Sequence, residues 1–233
     1  MATSQPSCAC IVGVGPGLGA ALTERFAAEG YAVALLSRSA THRDPIVRAI
    51  TANGGRAAGY DCDVTDPASV TAAFAKIRAT HGDPAVLIYN AGVFVVGGLL
   101  ELDPARFEDA WRINCLGAFL CARQVVPAMR AARAGSLLFT GATASLRGGA
   151  RFAGLAVGKF GLRALSQSLA REWGSHGIHV ANVIIDGQIG NRGRSGEQYL
   201  DPHAIAESYW QLHRQPRSAW TLEMDLRPHV EHF

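Results

Sequence analysis

The residue that first asks for a chemical explanation is Lys159, in "RFAGLAVGKFGLRALSQSLARE" (residues 151–172). It stands among glycine, alanine and phenylalanine in a stretch that reads as an apolar helix. The chain has 22 Lys+Arg, and only Lys76 and Lys159 are lysines. In a sequence so biased toward arginine, one compact ammonium in apolar surroundings raises the question of what it faces. A second feature is the glycine run of "CIVGVGPGLGAALTERFAAEG", with Gly13, Gly15, Gly17 and Gly19 separated by Val14, Pro16 and Leu18. Glycines between a strand and a helix allow a tight turn. They also let backbone N–H groups approach a pyrophosphate at the positive end of the helix. A lone glycine motif is weak evidence; this one follows a strand, opens an amphipathic helix and begins a βαβ unit.

The second strand ends about twenty residues further on in "VALLSRS". An acidic residue there would accept from the adenine-ribose hydroxyls, whereas an arginine accommodates a 2′-phosphate. Ser37 and Arg38 occupy the position and no acid does, so NADP(H) is expected in preference to NAD(H). A solvated arginine at a strand end is the plain alternative.

Elements that would position these residues are legible. Strands are expected over Ala9–Val14, Ala32–Ser37, Ala57–Cys62, Ala85–Tyr89, Ser136–Thr140 and His179–Ile185, several of them apolar throughout, as parallel strands covered on both faces are. Helices lie between them. Asp-Pro at 44–45, 66–67, 103–104 and 201–202 places an N-cap before a first-turn proline. Asn53-Gly54, His81-Gly82 and Trp173-Gly174 read as stops. The alternation implies an α/β fold, a Rossmann-type doubly wound parallel sheet of about seven strands with helices on both faces. "SAWTLEMDLRP" supplies the last strand, after a helix from Pro202 to about Gln211. A single domain over residues 1–233 is expected, with 187–218 as a substrate-lid segment and 219–233 as a C-terminal strand and tail.

Composition narrows the function classes. With 48% hydrophobic and 18% charged residues the chain can build a sizeable core. The net charge is +3 and the arginines are scattered, which argues against a nucleic-acid surface. Five cysteines (Cys8, Cys10, Cys62, Cys115, Cys121) lack metal-ligand spacing and read as reduced thiols, with no metal expected. The start MATSQPSCAC does not resemble a signal peptide, and no apolar run is long enough for a membrane span. A cytoplasmic protein is expected, with no membrane partner.

Further motifs converge. The spacing of Gly13, Gly17 and Gly19, "YDCDV" with Asp63 and Val64, "YNAG" with Asn90, Ala91 and Gly92, "RINCLGAF" with Asn114, "GKFGLRALSQSLARE" with Lys159, and "GIHVANVIIDG", usually followed in the family by Pro-Gly, together resemble the short-chain dehydrogenase/reductase family over residues 9–190. The resemblance implies hydride transfer to or from a small carbonyl or enoyl substrate. It makes Lys159 the lysine that binds the nicotinamide-ribose hydroxyls and Asn114 the asparagine of a proton relay. Gly13, Gly15, Pro16, Gly17, Leu18, Gly19, Ser37, Arg38, Asp63, Val64, Asn90, Ala91, Gly92, Lys159 and Ile189 then form the cofactor site. A homodimer or homotetramer is implied, assembled through helices at about 104–132 and 152–173. A compact ammonium can reach two ribose hydroxyls at once, where a planar guanidinium is bulkier.

The family's proton-handling pair is missing. Leu155 stands four residues before Lys159, where the family has tyrosine, and Ala142 stands at the serine position. Thr143, Ser145, Tyr89 and Tyr209 are the candidate replacements. Phe152, at the position used by enoyl reductases, has no hydroxyl. The alternative function is a dinucleotide-binding sensor or assembly partner with impaired catalysis. A methyltransferase on a similar sheet would leave Lys159 and the NAG turn without a role. Tyr209, Trp210 and Trp220 with His203, His213, Arg214 and Arg217 suggest a cover for an anionic substrate or, equally, a subunit contact.

Overall fold

A computed structural model describes residues 7–191 and 193–231. Residues 1–6, on which the signal-peptide expectation partly rests, lie outside the described residues, as do the last two of the C-terminal tail. Six strands alternate with helices: β1 Cys8–Val12, α1 Leu18–Ala28, β2 Ala32–Ser37, α2 Ala40–Ala52, β3 Arg56–Asp61, α3 Pro67–His81, β4 Pro84–Tyr89, α4 Pro104–Trp111, α5 Gly117–Ala132, β5 Gly135–Ala142, α6 Ala153–Trp173 and β6 Ile178–Ile185. A short pair, β7 Gln188–Ile189 and β8 Tyr199–Leu200, precedes α7 Pro202–Arg214 and β9 Glu223–Leu226. The main sheet has seven strands in the order β3-β2-β1-β4-β5-β6-β9, all parallel. The order reverses between β1 and β4, and ligands of such sheets bind outside the carboxyl ends of the strands at that point.

Side-chain alternation along β1 builds both halves of the core. Cys8, Cys10 and Val12 pack with Phe74, Ile77, Val125 and Leu162 on one face. Ala9 and Ile11 pack with Leu22, Phe26, Ile205 and Tyr209 on the other. All five cysteines are unpaired thiols, and burial pushes that of Cys62 up to about 11.

Three Asp-Pro signals cap helices: Asp66 accepts from Ala68 N, Asp103 from Ala105 N and Asp201 from His203 N. The fourth does not. Helix α2 begins at Ala40, capped by Ser39, and Pro45 lies inside it. The earlier start buries Arg43, which donates to Ser37 O at 3.3 Å and pairs with Asp61 at 2.9 Å, tying the helix to the ends of β2 and β3. Gly82 caps α3 with φ 76° and Gly54 follows α2 with φ 79°. Gly174 stays right-handed, however, and the chain reverses at Gly177 after a further 3₁₀ turn. Helix α7 runs to Arg214, three residues beyond the expected Gln211.

Candidate active site

The turn after β1 is built around Gly13. Its φ of +87° is one that side chains rarely adopt, and a Cβ there would overlap the backbone of Ala91. The same approach lets Asn90 Nδ2 donate to Gly13 O at 2.9 Å and Asn90 N to Val12 O at 2.8 Å. The glycine turn and the Asn90-Ala91-Gly92 turn thus interlock at the carboxyl edge of the sheet. A groove runs past them, lined also by Gly15, Gly17, Leu18, Ser37, Arg38, Asp63, Val64 and Ile189. At Gly15 and Gly17 a Cβ would meet nothing within 4 Å, so open space lies against the start of α1, where a pyrophosphate could rest. Asp63 accepts from Thr65 N and Thr65 Oγ1, and these bonds hold its carboxyl below the usual range. Arg38 is exposed on the rim. Pro16 faces a neighbouring hollow between α1, α2 and the β7–β8 segment, which adjoins the groove at Gly17.

A second cavity of about 780 Å³ lies beside the groove. Gly92 and Ile189 line both, so the two adjoin there. Lys159, Asn114, Ala142, Thr143, Leu155 and Asp186 line its wall.

Lys159 and Asn114 meet because α6 comes unusually close to the segment joining α4 and α5. That segment, Arg112–Leu116, is a single π-helical turn, an insertion often found at functional sites. Gly158 faces it, and a Cβ there would come within 2.6 Å of Asn114 Cβ. Glycine inside a helix costs roughly 0.5–1 kcal/mol relative to alanine, and here it permits that contact. Asn114 is fully buried; its amide donates to Val93 O at 3.0 Å and accepts from Val93 N at 3.3 Å. A side chain added at Gly92 would lie 3.1 Å from Asn114 Oδ1 and 3.4 Å from Lys159 Nζ, so all three converge where groove and cavity join.

Lys159 is 6% exposed and donates to Thr140 O at 2.8 Å. That bond uses one of its three donors. Burial disfavours the ammonium and lowers it to about 8. Leu155, one turn earlier on the same face, packs with Ala142, Ala144 and Phe152. The two positions without hydroxyls therefore belong to one apolar cluster on the cavity wall.

The other hydroxyl candidates separate cleanly. Tyr89 is fully buried and donates to Ile113 O at 2.5 Å, bracing the π turn from beneath. Tyr209 is fully buried on the α1–α7 side and bonded to Thr140 Oγ1 at 2.7 Å. Ser145 is buried and accepts from Ala142 N at 3.1 Å. None of these three lines the cavity. Thr143 does, and its Oγ1 donates to Asp186 Oδ1 at 2.5 Å. Asp186, 43 residues further along, carried no signal of its own in the sequence. Of the C-terminal cluster, Trp210 and His213 pack edge-to-face with Phe26 and Tyr31 over α1, away from the cavity.

The sequence pattern of the short chain dehydrogenases matches residues 7–189. The chain belongs to that family. Among curated relatives, short-chain reductase protein NovJ of Streptomyces niveus is 35% identical over 189 residues, which span 81% of this chain and 71% of that protein. A short-chain dehydrogenase from Rhodopseudomonas palustris of known crystal structure is 39% identical, with a TM-score of 0.87 over 96% of this chain and 99% of that one. A metagenomic short-chain oxidoreductase solved in complex with NADP is 27% identical, with a TM-score of 0.85 over 98% of this chain and 100% of that one. As a short-chain dehydrogenase the chain has the family's sheet of seven parallel strands. Among the described residues no helix is long and apolar enough to cross a membrane.

Proposed function

We propose that this short-chain dehydrogenase is an NADP(H)-preferring oxidoreductase that transfers hydride to or from a small carbonyl or enoyl compound, or the alcohol it corresponds to, and handles the proton with a group other than residue 155. The observation that carries the reading is the junction of groove and cavity at Gly92 and Ile189, with buried Lys159 beside it. Gly13, Gly15, Gly17, Leu18 and Gly19 would hold the pyrophosphate, Asp63 and Val64 the adenine side, and Lys159 the nicotinamide ribose. When bound, the dinucleotide supplies or accepts hydride. The chain's own residues orient the substrate, exclude water with Phe94, Phe152, Leu155 and Ile185, and hold the proton. The NADP-bound oxidoreductase at 27% identity supports the phosphate-bearing cofactor, as does Arg38 on the rim of the groove.

Titrating NADPH and NADH by fluorescence, then screening carbonyl and enoyl substrates, tests the reading; tight binding with no turnover would favour the sensor alternative. Lys159→Ala should weaken dinucleotide binding about 10- to 100-fold, the value of hydrogen bonds from a charged donor. In the wild type, the ammonium is charged below about 8 and lost above it. Affinity should therefore fall several-fold as pH rises from one unit below to one unit above that value, and the dependence should vanish in Lys159→Ala. Arg38→Asp should move the NADPH/NADH preference about 10- to 100-fold toward NADH, by removing a charge-assisted phosphate contact and adding a ribose acceptor. An unchanged ratio would make Arg38 a surface residue only.

Assembly as a homo-oligomer fits the exposed Trp111, Phe119, Val157 and Phe160 on α4, α5 and α6, each 37–45% exposed. Residues 187–200 border the cavity through Gly187, Gln188, Ile189, Gln198 and Tyr199 and are the part of the 187–218 segment suited to a lid. A cytoplasmic location completes the proposal.

A further inference from the structure

We propose that Thr143 and Asp186 are the proton-handling pair of this site, with Thr143 contacting the substrate oxygen and Asp186 receiving the proton through it. The inference rests on the oxidoreductase reading above and names the group that reading leaves open. It starts from strand register. Ala142 at the end of β5 is paired with Ile185 at the end of β6. The next residue of each chain segment, Thr143 and Asp186, therefore emerges side by side at the carboxyl edge of the sheet, where both line the cavity that holds Lys159 and Leu155. Asp186 is only 4% exposed. It is held at the strand end by its own N–H, which donates to Leu226 O at 2.8 Å.

The polarity of the pair says which substrate oxygen it suits. A threonine hydroxyl has one hydrogen and two lone pairs. Thr143 places its hydrogen on Asp186 at 2.5 Å, so its oxygen meets the cavity as an acceptor. A carbonyl needs a donor; an alcohol O–H needs an acceptor. The pair as found is therefore set to take a proton from an alcohol. The charged groups around Asp186 are Arg147, 3.8 Å from Oδ1, and Arg227, 4.0 Å from Oδ2, the latter also 3.5 Å from Asp225; Lys159 and Glu231 line the same cavity. Arg147 has 56% of its side chain exposed and stands at the mouth. The surrounding walls, Phe94, Phe152, Leu155 and Ile185, suit an apolar body on the alcohol carbon.

The step balances. Converting an alcohol to its carbonyl breaks a C–H and an O–H bond and forms the C=O π bond. The hydride goes to the oxidised nicotinamide dinucleotide. The O–H proton goes to Thr143 Oγ1 as the threonine proton passes to Asp186 Oδ1, and water then takes it. Carbonyl reduction runs the same relay in reverse from protonated Asp186.

The test compares the full-length wild type with Asp186→Asn, Thr143→Val and Thr143→Ser, using secondary aryl alcohols with NADP⁺ and NAD⁺ and the matching ketones with NADPH and NADH. Asn at 186 keeps an acceptor for Thr143 but takes no proton. Loss of a positioned proton acceptor should lower kcat about 10²- to 10⁴-fold with KM little changed. Thr143→Val should lower kcat similarly and, because it also removes the hydrogen bond to the substrate oxygen, raise the alcohol KM about tenfold; Thr143→Ser should stay within about threefold of wild type. Independently of turnover, binding of trifluoroethanol, an alcohol too electron-poor to yield hydride, is followed by fluorine NMR; Thr143→Val should weaken it about tenfold while fluorescence-monitored dinucleotide binding is unchanged, one hydrogen bond being lost. If Asp186→Asn fails to fold, the Thr143→Val and Thr143→Ser pair decides. Wild-type turnover that survives Asp186→Asn or Thr143→Val overturns the relay and leaves the oxidoreductase reading standing. A wild type that turns over nothing in either direction overturns both.

Discussion

Restoring both hydroxyls, Leu155→Tyr with Ala142→Ser, in a chain that also carries Thr143→Val is expected to raise ketone reduction about 10²- to 10⁴-fold over Thr143→Val alone, the range a positioned general acid supplies. The geometry favours this outcome. Residue 155 lies one turn before Lys159 on the same face of α6, and both line the cavity. A phenol there would sit beside a buried ammonium whose charge, present below about 8, favours the phenolate and so eases proton transfer. Leu155 and Ala142 belong to one small cluster with Ala144 and Phe152, so the new ring displaces side chains rather than backbone. Overpacking of roughly 1–3 kcal/mol is the opposing effect, and the chain tolerates it if Phe152 turns into the cavity. NADPH oxidation with a ketone panel measures the gain. A combined variant no faster than Thr143→Val alone would mean that substrates no longer sit near residue 155. A gain would mean that the pocket still accepts a general acid at that position.

The second large effect concerns Gly13→Ala, which should remove dinucleotide binding and lower stability by about 2–5 kcal/mol, combining left-handed backbone strain with overpacking. The φ of +87° penalises any side chain, and the added Cβ would overlap Ala91 while lying 2.8 Å from the carbonyl carbon of Asn90. Neither turn can yield, because Asn90 bonds Val12 O through its backbone and Gly13 O through its side chain. Urea unfolding and fluorescence titration check the two parts. Gly15→Ala is the control: with nothing within 4 Å of its Cβ, it should leave stability within about 1 kcal/mol and act on cofactor binding alone. Equal stability of wild type and Gly13→Ala would show that the two turns do not interlock as described.

Much of this was legible in the chain itself. Near-continuous apolar strands, Asp-Pro caps at 66, 103 and 201, and glycines after the first strand specify an α/β sheet and the place of a nucleotide groove. These signals are local, set by periodicity, capping and turn chemistry, so they survive without tertiary context. The lack of hydroxyls at positions 155 and 142 is equally a property of sequence, because spacing from Lys159 defines it.

Local signals failed where packing overrode them. Asp44-Pro45 looked like a helix start, yet burial of Arg43 against the ends of β2 and β3 moved the start back to Ala40. Tyr89 and Tyr209 were fair hydroxyl candidates by position along the chain, but the sheet places one beneath the π turn and the other against α1. Thr143 and Asp186 are 43 residues apart, and nothing local links them. Only the parallel register of β5 and β6 brings the two strand ends together and turns a threonine and a buried carboxylate into a hydrogen-bonded pair lining the same cavity as Lys159. The sequence alone determined the sheet, the groove and the lack of hydroxyls at positions 155 and 142. The tertiary structure alone decided that Thr143, and not Tyr89, Tyr209 or Ser145, meets the cavity, because that depends on non-local register and burial, which a linear pattern does not encode.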